Sequence, residues 1–546
     1  MPPKHPRATS TALLAAATLT VLVLTGCSSP RSTSSSTGSS ADLTDTGKSI
    51  SDVTVSINGA PSSLYPGIAA GILDYDVASL SAEGLVQIGD DGQVEPAVAS
   101  SWTQPDQQTI VFELNPHAKF QTGAAVTPAD VIASIDAAKD PNVSPATASY
   151  LGAVDSATQT GDDEVTVKLS SAQPDYLANF SAASALWIYP ASYWQSHSKD
   201  VGSATALPVG TGPYKITKYV PDSEIDYALT NTWWGETGAK AVTPHAKKIT
   251  ISIITDESAR VLAAKSGKTD IALQVPIAQT AEWNALKDFR IEHAADLSYT
   301  GFYFQQSVKP FDDPKVREAI GYAFDYQGVV DKLLKGQGKV ATAIATPQSV
   351  ASVYPSAASA AKALDLSPFD FDMKKAKAAL KASSVPDGFT TELVYPSDYP
   401  QLGQAALALA QNLKTIGITL NVKEEPVDQW FGTLSDGTHG LNYMLYFSTT
   451  GDVTDTSGYL LGDQNPGGYK NSEVQSLVAS ASSSADEKTR VSDILTANKL
   501  AIAQDHADIP LWWGESSTAF ENGIGIKDFG PYLLTRPWGA NIFAAK

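Results

Sequence analysis

The chain of 546 residues carries 58 acidic against 38 basic side chains, a net charge of −20, and 43% of it is hydrophobic. That sign excludes partners that reward Lys and Arg, namely nucleic acid and anionic lipid surfaces. The length and apolar content allow roughly three or four domains, and a single cysteine, Cys27, leaves no internal disulfide framework.

Lys4, His5 and Arg7 precede an apolar block from Thr11 to Thr25. This is the positively charged start and short apolar run of a secretory signal, too short to span a bilayer. Leu24-Thr25-Gly26-Cys27 then resembles the lipobox of bacterial lipoproteins. The resemblance implies cleavage before Cys27, leaving residues 1–26 as the signal peptide, and transfer of a diacylglyceryl group to the Cys27 sulfur. Two acyl chains at about 0.8 kcal/mol per buried methylene hold a protein on a membrane where one does not. Residues 27–48, rich in Ser and Thr, read as a flexible tether. The expected location is the extracytoplasmic face of the cell membrane.

Beyond the tether the chain alternates strands and helices. "TPAD", Thr127 to Asp130, has a capping hydroxyl, a proline at the first helical position and an acid at the third, with Val131, Ile132 and Ile135 following on one side. "KITISIITD" reads as a strand, "ESARVLAAKSG" as a helix with Val261, Leu262 and Lys265 in one turn, and "TDIALQV" as a returning strand. Asp313-Pro314 opens another helix, whose Val316, Ala319, Ile320, Ala323 and Phe324 share one face. From Thr391 the order is strand ("TELVYPSD"), helix ("QLGQAALALAQNLKTIG", with Leu402, Leu407, Leu413 and Ile416 inward), strand ("ITLNVKEE"), short helix ("VDQWFGTL") and strand ("LNYMLYFSTT"). Both blocks predict parallel sheets with right-handed crossovers, and their separation predicts two lobes. Ligands of such sheets bind beyond the strand carboxyl ends, which points to the loops Tyr395–Tyr399, Glu424–Val427, Ser448–Asp455 and Thr255–Ser258.

Motifs of catalysis are missing. Gly47-Lys48-Ser49 and Gly267-Lys268-Thr269 end like phosphate-binding loops, but the upstream positions that must be glycine are Asp42 and Leu262. The seven histidines lie more than about forty residues apart in sequence, so no metal spacing forms. No G-x-S-x-G elbow occurs. No cofactor, metal or catalytic residue is predicted.

Five stretches in order, "EPAVASSWTQPDQQTIVFEL", "AKFQTGAAVTPADVIASID", "PVGTGPYKI", "KPFDDPKVREAIGYAFDY" and "FDMKKAKAALKAS", resemble the family 5 extracellular solute-binding proteins. That family includes the oligopeptide- and dipeptide-binding lipoproteins of ABC importers. The resemblance implies a two-lobed α/β fold of the periplasmic-binding-protein kind (type II, cluster C) with an extra subdomain. Lobe I would comprise 49–88, 207–299 and 516–546, the inserted subdomain 89–206, and lobe II 300–515. A monomer would trap a peptide or similar small solute between closing lobes and deliver it to a permease pair driven by ATPases. An oligosaccharide or other small solute is the alternative ligand, and an exported hydrolase or cell-wall adhesin on the same fold is the alternative function.

In peptide binders of the family, the loop after the strand matching "LNYMLYFSTT" often holds a tryptophan and then an aspartate that pairs with the peptide amino terminus. Here it reads "YFSTTGDVTDTSGYL": the tryptophan is absent, and spacing does not separate Asp452 from Asp455. Tyr75, Tyr395, Phe447 and Trp513 are the aromatic candidates, while Trp430 and Phe431 are expected to pack. In "IPLWWGE" alternation places Trp512 and Trp513 on opposite strand faces. Gly210 and Gly212 of "PVGTGPY" are expected to supply backbone angles closed to other residues.

Overall fold

The computed structural model describes residues 43–546 apart from 91, 173–175, 232, 237–240, 355, 398, 435–436 and 449. The predicted signal peptide, Cys27 and most of the predicted tether lie outside the described residues. The end of the tether is held: the backbones of Thr44 and Thr46 hydrogen-bond to Lys546 and Ala544, and Asp45 pairs with Lys527 at 2.7 Å.

In chain order, β1 (Val53–Ile57) leads to α1 (Ile72–Ala78) and the hairpin β2 (Val86–Ile88) and β3 (Val94–Pro96). Next come β4 (Ala99–Asp106), β5 (Thr109–Leu114), α2 (Pro128–Lys139), β6 (Val154–Gln159) and β7 (Glu164–Leu169). These four strands form an antiparallel sheet in the order β4-β5-β7-β6, covered by α2 over its own core of Ile110, Phe112, Val131, Ile135, Val165 and Val167. As the sequence predicts, the start of α2 is fixed by Asp130, whose carboxylate accepts the Thr127 backbone N–H at 2.9 Å and its hydroxyl at 2.6 Å.

After α3 (Ala191–His197) the chain adds β8 (Tyr214–Val220), β9 (Glu224–Leu229), β10 (Lys248–Ile253), α4 (Glu257–Lys265), β11 (Ile271–Ala272) and α5 (Thr280–Asn284). Strands β10 and β11 both run parallel to β1, which lies between them. The helix buries Val261 while Leu262 is 65% exposed, so it offers a narrower apolar face than expected.

The long strand β12 (Phe289–Phe304) follows, then α6 (Pro314–Ala323), α7 (Tyr326–Lys332), β13 (Gly338–Val340), α8 (Ala357–Ala363) and α9 (Met373–Lys381). Asp313 caps α6 through the Lys315 N–H at 2.8 Å, and all five residues of its predicted apolar face are buried. Next come β14 (Thr390–Pro396), α10 (Pro400–Lys414), β15 (Thr419–Glu425), α11 (Val427–Thr433) and β16 (Leu441–Phe447). Then α12 (Val453–Leu461), α13 (Ser472–Ser483) and α14 (Glu487–Lys499) lead into β17 (Asp508–Glu521).

Two expectations are corrected here. Of the three strands read from Thr391 onward, β14 and β15 pair in parallel, but β16 pairs antiparallel with β12. The strand was legible from its residues, but its partner lies more than a hundred positions upstream, out of reach of local pattern. Nor are there two separate main sheets. A nine-stranded sheet in the order β16-β12-β17-β11-β1-β10-β9-β8, with β13 also on β17, runs through the whole molecule. On α10, Leu402 and Leu413 are buried, but Leu407 is 55% exposed and Ile416 lies past the helix end.

Continuity comes from β12 and β17, which at about 3.3 Å per residue each reach roughly 45–50 Å. Phe289–Ala295 pair with Glu515–Glu521 near β11, and Tyr299–Tyr303 pair with Asp508–Trp513 near β16. Between them the register slips: Leu297 adopts φ 61°, and Asp296 accepts the Ser298 backbone N–H at 3.0 Å. Opposite sits Gly514, where a Cβ would come within 2.1 Å of Ser298 Oγ. The two strands cross closely at this point because the residue there has no side chain.

The glycines of "PVGTGPY" work differently from the expectation. Neither Gly210 nor Gly212 has a positive φ. A Cβ on Gly210 would lie 2.2 Å from the Ser81 carbonyl oxygen and 2.8 Å from Ala82 Cα, so the residue permits close backbone approach. Gly210→Ala is expected to cost about 1–3 kcal/mol, measured as a lower urea midpoint at unchanged slope.

Candidate functional site

Strand β16 ends at Phe447, and the chain turns through Ser448–Asp452 into α12. Asp452 is the cap: one carboxylate oxygen accepts the Thr454 N–H at 2.8 Å and its hydroxyl at 2.5 Å. The other lies 3.0 Å from Arg490 Nη2 on α14. Asp455, in the first turn, accepts hydroxyls from Tyr446 at 2.8 Å, Ser448 at 2.7 Å and Thr450 at 3.4 Å. Burial raises its pKa despite these donors. The two acids that spacing left equivalent therefore differ: Asp452 is an ion-paired cap, and Asp455 gathers hydroxyls beneath the loop.

Beside this loop lies a cavity of about 370 Å³. One wall is β2, β3, β4 and the turn at Leu177–Ala178; the other is Gln348–Ser352, the Thr450–Val453 loop and the start of α14. Ile88, Val94, Trp102 and Leu177 supply apolar surface, while Asp452, Glu487 and Arg490 supply charge. The volume falls within the range of small-molecule sites, with a lining more polar than most. Of the four strand-end loops expected to meet a ligand, only Ser448–Asp455 reaches the cavity lining.

The aromatic candidates scatter. Tyr75 sits within α1, not after a loop, is 7% exposed, donates its hydroxyl to the Ser184 carbonyl at 2.9 Å and packs on Trp187. Tyr395 lies on β14 with its hydroxyl 2.6 Å from Glu424. Phe447 is 41% exposed at the end of β16. Trp513 is half-buried against the core under α12 and α14, and its indole N–H has no acceptor among the described residues. Trp512 joins the core under α6 and α10, so the pair does take opposite faces. Trp430 packs in that same core, whereas Phe431, expected to pack, is exposed.

Sequence reading passed over Tyr150 and Tyr459, both well exposed for tyrosines. The Tyr459 ring lies 5.5 Å from that of Tyr446. Burial, then Asp455, holds the Tyr446 phenol well above its usual pKa, and Tyr150 adds to this; Tyr150 likewise adds to the effect of burial on Tyr75. Tyr150 thus stands close to both the α1 side and the α12 side. It also passed over Trp102, Glu487 and Arg490, which read as ordinary strand and helix-surface residues because their partners are distant in sequence.

Hydrolase chemistry finds little footing. Ser517 Oγ is 2.7 Å from His293 Nδ1, but Ser517 is 1% exposed and closed to a substrate. Among the described residues no group of His, Cys, Asp and Glu could hold a metal ion, and no helix is long and apolar enough to cross a membrane.

Comparison with known proteins resolves the class. Residues 93–471 match the family described as bacterial extracellular solute-binding proteins, family 5. The chain belongs to that family. This solute-binding protein is 28% identical over 464 residues to the glutathione-binding protein GsiB of Salmonella paratyphi A, covering 81% of this chain and 85% of that one. It is 26% identical over 422 residues to heme-binding protein A of Haemophilus influenzae, covering 71% and 73%. Its fold matches a dipeptide-binding protein of Pseudoalteromonas sp. SM9913 in complex with Met-Leu, with a TM-score of 0.71 and 20% identity over 90% of this chain and all of that one. Members of the family are solute-binding proteins, not enzymes, and their fold is the two-lobed α/β fold.

Proposed function

We propose that this protein is the lipid-anchored, extracytoplasmic receptor of an ABC importer, capturing a peptide or similar small solute between two lobes and handing the closed complex to the permease. What carries this reading is the cavity between two walls in a chain where β12 and β17 run from one proposed lobe into the other and slip register at Leu297 and Gly514. Such a crossing lets two rigid bodies rotate about a few residues, and a ligand touching both walls favours the closed state by its extra contacts there. The proposed bodies are lobe I (49–88, 207–299, 516–546), the subdomain (89–206) and lobe II (300–515), the change from I to II falling at the slip.

Glutathione and Met-Leu, the solutes named for relatives, are the first probes. A ligand at 100 times its dissociation constant adds about 2.7 kcal/mol to stability. A thermal-shift screen of di- to pentapeptides, glutathione and oligosaccharides is expected to raise the melting temperature with a peptide. Shifts with sugars alone would replace the ligand class, and no shift with any solute would remove the importer reading.

The anchor has its own test. Cys27→Ser is expected to move the protein from the membrane fraction to the medium or periplasm with unchanged ligand affinity, because the thioether can form only on sulfur. Persistent membrane association of the variant would refute it.

A further inference from the structure

Among the described residues three carboxylates lie at or beside the cavity, and two of them are held by groups of their own wall. Asp452 holds the Arg490 guanidinium and caps α12. Asp455 is surrounded by the hydroxyls of Tyr446, Ser448 and Thr450. Glu487, at the first position of α14, lines the cavity and accepts hydrogen bonds from neutral groups: Gln93 Nε2 at 3.2 Å, from the β2–β3 hairpin, and the Ser352 hydroxyl. Gln93 reaches it from the opposite wall, so this carboxylate is presented where the two walls meet. Of the charged residues among the described lining, Asp452 and Arg490 pair with each other and Glu487 is the second carboxylate. Trp102 and Leu177 on the facing wall supply apolar surface within the same space.

We infer that Glu487 and Trp102 form a subsite that takes the ammonium group and an apolar group of one small ligand, Glu487 and not Asp452 or Asp455 being the acid that recognises the cation. The inference rests on the solute-binding reading above and names the chemistry of the ligand that cavity accepts. A charge-assisted hydrogen bond in a half-buried site outweighs its neutral counterpart, and an apolar wall across the cavity rewards a hydrocarbon held at the other end. The ammonium would replace or join the neutral donors now on Glu487, while the guanidinium on Asp452 leaves that carboxylate no uncompensated charge.

The test uses two probes of equal shape, phenethylamine and 2-phenylethanol, titrated calorimetrically into the full-length protein and its variants. Wild type is expected to bind the amine about tenfold more tightly than the alcohol. Glu487→Gln, which keeps an acceptor for Gln93 and Ser352, is expected to abolish that preference with an unchanged melting temperature. Trp102→Ala is expected to weaken both probes together and keep the preference. Equal binding of the two probes by wild type, no saturable amine binding at millimolar concentration, or a preference that survives in Glu487→Gln and disappears in Asp455→Asn would each overturn the inference. Thermal shifts with peptides but no amine preference would sink this assignment and leave the importer reading standing. A Glu487-dependent amine preference without any shift from a natural solute would do the reverse.

Discussion

Arg317→Met is expected to lower the unfolding free energy by about 3–5 kcal/mol. The side chain is 4% exposed in the core of the second half of the chain. Its guanidinium donates to three backbone carbonyls: Nε to His506 at 2.9 Å, Nη1 to Phe311 at 2.6 Å and Nη2 to Asp505 at 2.6 Å. Two of those carbonyls belong to the bend that leads into β17, about 190 residues downstream, so one side chain ties α6 to one of the two crossing strands. Methionine fills similar volume but leaves three buried acceptors without a donor. Arg317→Lys keeps the charge, lacks the planar fork, and is expected to recover only part of the loss. Urea denaturation measures both; a loss below about 1 kcal/mol for the methionine variant would show that water reaches those carbonyls.

A second large effect is expected with pH. Asp76, Glu83 and Asp508 are buried, and burial pushes each carboxyl up to about 8. Gln274 beside Asp76, Thr211 with Trp233 and Trp234 beside Glu83, and Tyr299 beside Asp508 offset this only in part. These acids stay protonated in the folded protein at pH 7 and ionise freely in the unfolded chain. Their contribution is therefore fully present below the unfolded carboxyl pKa near 4 and is lost as pH rises toward 8. His293 and the half-buried His506 act in the opposite sense, since loss of solvation lowers their pKa values and stability from them grows as pH rises through the usual histidine range. The three carboxyls shift much further, so stability is expected to fall between pH 4 and pH 8, each carboxyl contributing up to about 5 kcal/mol. Melting temperatures across that range check it. Asp76→Asn, Glu83→Gln and Asp508→Asn together are expected to flatten the slope; a profile rising from pH 4 to 8 would contradict the burial argument.

What could be read from residues alone was local. Thr127-Pro128-Ala129-Asp130 and Asp313-Pro314 announced two helix starts because capping depends on groups two or three positions apart, and both capping carboxylates bond as expected. Strands β10, β14, β15 and β16 stand where alternation or apolar runs placed them. Pairing was beyond such reasoning, since a ladder can join any two extended segments: β16 chose β12, and β1 inserted itself between β10 and β11. The aromatic candidates show the same limit. Tyr75 and Trp513 have the composition of ligand contacts, yet the first spends its hydroxyl on Ser184 and the second packs beneath α12 and α14.

The sequence by itself determined the family and the succession of helices and strands, because both are written in runs of neighbours along the chain. Only the tertiary structure decided which groups partner the acids beside the cavity. Arg490 reaches Asp452 across 38 positions and Gln93 reaches Glu487 across 394. Electrostatic pairing acts through space, over a few ångströms, and no spacing in the sequence records it.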